Sequence, residues 1–139
     1  MVSNYLAEET LITTSNGLET IGSVREKLYC YAYDCIGGIA KIRIADIPSK
    51  NSISDLYELS TESGNSILMS MDSQLMSING WRKLSDLSIG DIVLCAFEPD
   101  DIYADTISNI SFVRHDAPYS MSETKYGNFL AQGFIIRAK

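Results

Sequence analysis

Histidine is nearly absent from this chain. His115 is the only one in 139 residues, which excludes chemistry that calls on two imidazoles and any His-rich metal centre. Cysteine is scarce and odd in number: Cys30, Cys35 and Cys95 cannot form a closed disulfide framework. No second Cys or His group stands near the Cys30/Cys35 pair, so buried free thiols are expected there and a zinc site is not. No apolar run approaches the length of a membrane span, and the opening MVSNYLAEET has neither a charged n-region nor an apolar h-region. The chain is therefore expected in a reducing compartment, cytoplasmic or within a larger assembly. Positive charge is in short supply. Eleven basic residues stand against 18 acidic ones, for a net charge of −7. With no basic cluster to offset this, neither a nucleic acid nor an anionic membrane is an expected partner; a protein is. There is also no internal repeat, low-complexity tract or long linker, so residues 1–139 read as a single domain.

What is present is a core-forming composition, 45 % hydrophobic and 21 % charged, which is incompatible with wholesale disorder. The dominant pattern is short alternating strands. Leu11–Thr14 reaches Ser15-Asn16-Gly17, a hairpin turn signal, and returns through Leu18–Ile21. Lys27–Tyr33 alternates, with Tyr29, Tyr31 and Tyr33 on one face, a stripe suited to the rim of a core or to an interface. Gly37-Gly38 turns the chain into Ile39–Ile44. Asp55–Thr61 and Ser66–Met71 flank another turn signal at Glu62–Asn65. Ile92–Phe97 reads as a buried strand, and Thr106–Val113 and Phe129–Ile136 as further strands. Helix is expected only in short pieces, over Ile21–Lys27 and Lys83–Leu87. The expected class is all-β, about ten or more short strands in a compact curved sheet. Glu98-Pro99-Asp100-Asp101 reads as a solvated loop, Trp81 as core or half-buried, and His115 as a surface or turn residue beside Asp116.

Four segments, taken in order, resemble the Hint family, the horseshoe-shaped fold shared by inteins and hedgehog autoprocessing domains. Tyr5-Leu6-Ala7-Glu8-Glu9-Thr10-Leu11-Ile12-Thr13-Thr14 is similar to the intein opening, in which a nucleophile, an apolar residue and an acidic stretch lead into Thr and a first strand. Gly64–Ser77 is similar to the strand that carries the Thr-x-x-His motif. Gly80-Trp81-Arg82-Lys83-Leu84-Ser85-Asp86-Leu87-Ser88-Ile89-Gly90-Asp91 is the most specific piece, a Gly-Trp, Leu-x-x-Leu, Gly-Asp run. Gly127–Ala138 is similar to the closing strands that end in His-Asn. The resemblance spans nearly the whole chain, with no block the size of an endonuclease insert. It implies an intein-like fold whose two termini meet at its centre.

The same resemblance places the splicing positions at Tyr5, Ser70, Ser73, Arg137, Ala138 and Lys139. Splicing begins when a Cys or Ser at the first position attacks the preceding carbonyl through a five-membered ring. A tyrosine hydroxyl, at the far end of a rigid ring, cannot close it. Ser70 keeps the hydroxyl of the motif's Thr, but Ser73 in place of His has no titration near neutral pH. Arg137 in place of the penultimate His stays charged and cannot shuttle protons. Ala138 has no amide with which to form a succinimide, and Lys139 follows where a second nucleophile would stand. Only Met1–Asn4 precede the domain and only Lys139 follows Ala138, so little chain is expected for splicing to join.

These substitutions imply a catalytically inactive domain, a binding or structural module with neither cofactor nor metal, in which Tyr5, Ser70, Ser73 and Arg137 are expected to cluster and fill the former site, where Arg137 could also meet an anion. Two alternatives remain open at this point: a residual self-cleaving protein with an unrecognised nucleophile such as Ser3 or Cys30, or a structural component of a larger assembly such as a viral particle.

Overall fold

The structure, a computed structural model, describes residues 4–34, 38–44, 46–96, 102–122 and 124–138. Ser3, Cys35, Gly37, Phe97, the run Glu98–Asp101 and Lys139 lie outside the described residues. In chain order the strands are β1 (Leu11–Thr14), β2 (Gly17–Thr20), β3 (Tyr29–Asp34), β4 (Gly38–Arg43), β5 (Ser49–Lys50), β6 (Ser54–Thr61), β7 (Ser66–Met69), β8 (Gln74–Ser77), β9 (Gly80–Lys83), β10 (Ile92–Ala96), β11 (Ile102–Asp116), β12 (Tyr119–Ser120), β13 (Asn128–Ala131) and β14 (Phe134–Arg137). Ten of them form a continuous antiparallel path in the order β4-β3-β1-β13-β14-β8-β10-β11-β6-β7. β2 joins β1, β9 joins β8, and β12 pairs with β5 apart from the rest. The expected all-β class is what the chain adopts.

Two local expectations need correction. The two helical segments are single 3₁₀ turns, Ile21–Ser23 and Leu84–Asp86. Each buries just one apolar residue, Ile21 or Leu84, too narrow a stripe to hold a longer helix against the sheet. Phe129–Ile136 is not one strand but the hairpin β13–β14. Gln132 and Gly133 both adopt positive φ, 52° and 81°, the conformation of a two-residue hairpin turn. Gln132 was passed over as a turn residue because it carries a side chain where glycine or asparagine is usual. His115, expected at the surface or in a turn, is exposed and lies one residue before the end of the long strand β11.

The β13–β14 hairpin sits in the middle of the sheet, between β1 from the start of the chain and β8 from its middle. Seven of its eight strand residues are buried, so it carries apolar side chains on both faces. Phe129, Phe134 and Ile136 join Leu6, Ile12, Leu59, Met69, Leu75 and Ile107 in the main core. Leu130 and Ile135, one step out of phase, join Ala96 in a smaller cluster covered by Tyr31, Tyr33 and Trp81. Burial of one such aliphatic or aromatic side chain contributes about 1.5–3 kcal/mol, so this hairpin is the axis on which the fold closes. It is also what brings the C-terminal end of the chain beside its beginning.

Candidate functional site

Residues 4–7 run extended between two partners. Leu6 exchanges both backbone hydrogen bonds with Tyr119, at 2.9 and 2.8 Å, while the Ala7 N–H reaches Leu68 O and the Ser70 N–H reaches Tyr5 O at 2.9 Å. Asn4 is fully buried. Its side-chain amide donates to Met121 O (3.0 Å), and its Oδ1 accepts from the Met121 N–H (2.6 Å). The Asn4–Tyr5 peptide is thus flanked by the Asn4 side-chain clasp on one side and β-type pairing of residues 5–7 on the other.

Beyond β7 the chain turns tightly, with the Ser73 N–H bonded to Ser70 O at 3.1 Å. This turn aims two hydroxyls back at Tyr5. The Tyr5 N–H donates to Ser73 Oγ at 2.9 Å. Ser73 Oγ in turn lies 2.9 Å from Ser70 Oγ and 3.5 Å from Tyr5 O. Both serines are buried, Ser73 completely. The outer edge of the turn is closed by the Leu84 N–H on Ser73 O (2.9 Å) and the Ser85 N–H on Met71 O (3.0 Å). Tyr5, Ser70 and Ser73 therefore meet as the sequence implied.

Arg137 does not meet them. β14 and β8 pair with Ile136 opposite Leu75, and strand alternation then puts Arg137 with Gln74 on the face away from Ser73. Its guanidinium donates to Gln74 Oε1 at 3.0 Å and lies 5.8 Å from the centre of the Trp81 ring. The expected anion site at Arg137 is replaced by a surface clasp over a half-buried tryptophan. Ala138 has the other parity and is buried in the main core, its N–H on Gly127 O at 2.8 Å.

The remaining candidates lie elsewhere. Cys30 and Cys95 are buried free thiols. Desolvation pushes each up to about 12; for Cys95 the nearby negative charge of Asp105 adds to the rise. Neither supplies a thiolate near neutral pH. His115 Nδ1 contacts Asp55 Oδ1 at 2.5 Å, across the strand pair and not next door at Asp116, because adjacent strand residues face opposite ways. Asp116 pairs with Arg114, which also bridges to Glu9. Among the described residues no group of three His, Cys, Asp or Glu side chains converges to hold a metal ion. Sequence reasoning missed Asn4 altogether, since a lone asparagine near the start of the chain carries no signal of the backbone it pairs with 117 residues away.

No protein-family model matches the chain, and no curated protein matches it by sequence. Comparison of folds is decisive. A crystallised Ssp DnaB mini-intein variant superposes with a TM-score of 0.90 over 99 % of this chain and 94 % of its own, at 19 % identity. The chain has the intein fold. The DnaB intein of Synechocystis (18 % identity, 98 % and 99 % coverage, TM-score 0.89) and the DnaX mini-intein of Spirulina platensis (14 %, 95 % and 98 %, TM-score 0.81) are similar in the same way. At these identities the likeness is one of fold, and the coverage leaves no large part of the intein scaffold missing. No helix among the described residues is long and apolar enough to cross a membrane.

Proposed function

We propose that this chain is a catalytically inactive domain of intein fold that serves as a protein-binding or structural module. The observation that supports this reading is the contact of Ser73 Oγ with the Tyr5 N–H. That hydroxyl accepts from the amide of the Asn4–Tyr5 peptide, and a serine hydroxyl neither gives up nor takes a proton at a useful rate near neutral pH. Tyr5 contributes no attacking atom within ring-closing distance of that peptide's carbonyl, and Ala138 no amide. A scaffold that keeps its fold without the groups the chemistry needs is retained for its surface.

The binding half of the reading is tested in the source cells. Affinity capture of the tagged chain, followed by size-exclusion analysis, is expected to recover a partner in stoichiometric amount. A chain that stays monomeric and partnerless under all growth conditions would contradict it.

A further inference from the structure

A cleft of about 230 Å³ opens beside the Ser70–Ser73 turn, lined by Ser54, Asp55, Tyr57, Ser70, Met71 and Asp72. Its chemistry is one-sided. Two carboxylates and two hydroxyl oxygens line it together with an aromatic ring and a thioether, and no lysine or arginine is among them. Asp55 is engaged by His115 through Oδ1, and its Oδ2 makes no hydrogen bond among the described residues. Asp72 has no basic partner among the described residues.

The lining is also held in place before any ligand arrives. The Tyr57 ring stands edge-on to Phe112, centroids 5.5 Å apart and planes at 76°, and Phe112 in turn stacks near His115 at 5.0 Å. Ser70 at the base is fixed by its hydroxyl contact with Ser73. A wall ordered at its ring and its base lowers the ordering cost of binding.

From these observations we infer that the cleft receives an arginine side chain of a partner protein. A guanidinium presents several N–H donors in a plane that matches carboxylate oxygens, and its flat face and methylene stem suit a tyrosine ring and a methionine. A hard metal ion is a poorer fit. Calcium asks for six to eight oxygens, whereas here an apolar ring and a sulfur occupy part of the wall and no three acidic side chains converge. The net charge of −7 draws a basic surface toward the domain. This inference rests on the binding-module reading and names the chemistry of its partner.

The test is an amide NMR titration of the full chain with N-acetyl-arginine amide, using the neutral N-acetyl-citrulline amide as control. The expected result is saturable shifts at Tyr57, Met71 and Asp72 with the arginine probe and none with citrulline. Asp55→Asn and Asp72→Asn should each weaken the arginine response about tenfold or more while the spectrum stays as dispersed as that of the native chain. Absence of saturation, an equal response to citrulline, unchanged binding by both variants, or saturation of the same amides by calcium chloride at lower concentration would each overturn the assignment. A cellular partner that binds the Asp55→Asn/Asp72→Asn chain as tightly as the native one would overturn the cleft and leave the binding-module reading standing.

Discussion

Three side-chain amides stand in for backbone in this protein. Asn4 pairs with both backbone groups of Met121, and Asn128 does the same with Tyr33 (2.7 and 2.8 Å). Gln132, at the tip of the β13–β14 hairpin, accepts from the Leu11 N–H at 2.6 Å and donates to Ser66 O at 3.2 Å. All three amides bridge segments 66 to 121 residues apart, which is why none of them shows in the sequence. Tyr5, Ser70 and Ser73 were legible there because their spacing within short segments carries the pattern. Gln132 also bears a positive φ, a conformation that its two hydrogen bonds hold in place. Gln132→Ala leaves the Leu11 N–H unpaired without relieving the backbone and is expected to cost about 1–3 kcal/mol, read as a lower denaturant midpoint; an unchanged midpoint would remove Gln132 from this role.

Asp105 gives the residue scale a pH signature. Its carboxylate is 7 % exposed and hydrogen-bonds Ser63 and the Thr106 N–H. Desolvation acts to raise its pKa, but hydrogen bonds from Ser63, Thr61 and Thr106 together outweigh it and hold the group below the ordinary carboxylate range. A depressed folded value stabilises the native state above the unfolded carboxylate value, and that contribution is lost as pH falls through the folded one. Asp105→Asn should therefore destabilise the chain at neutral pH, with the gap to native closing below about pH 4. A gap that persists undiminished in acid would contradict this.

At the scale of elements, alternation located the outer strands well, because β3 and β7 each present one wetter and one drier face. It failed at the central hairpin, where burial on both faces produces a continuous apolar run and hides the turn. The element that matters most for function is the Ser70–Ser73 turn laid against residues 4–7. Position 73 reaches the Asn4–Tyr5 amide from a fixed backbone, so a thiol at position 5 and an imidazole at position 73 should supply the groups that peptide cleavage uses. Tyr5→Cys/Ser73→His is expected to undergo thiol-dependent cleavage between residues 4 and 5, at about 10²-fold or more the rate of Tyr5→Cys alone. If the double variant folds but stays uncleaved, or is no faster than the single one, the placement of residue 73 against that amide is wrong.

At the scale of the molecule, the strand path joins the beginning, middle and end of the chain side by side: β1 on β13, β14 on β8. Such pairings require large loops to close first, and folding in milliseconds to seconds is expected in a stopped-flow refolding trace; a microsecond phase that recovers the full native signal would contradict it. The fold was legible in the sequence because four short segments kept their order and spacing. The proposal of inactivity was legible because splicing chemistry demands particular atoms at particular positions. The direction of Arg137 was not, since only the register of β14 on β8 decides which face it takes.

We propose that this chain of intein fold performs no peptide chemistry. The most direct measurement is the intact mass of the purified chain, followed over days at neutral pH, alone and with added thiol or hydroxylamine. An unchanged mass under every condition is the predicted result. Release of Met1–Asn4, or any pair of fragments summing to the whole chain with one added water, would contradict it.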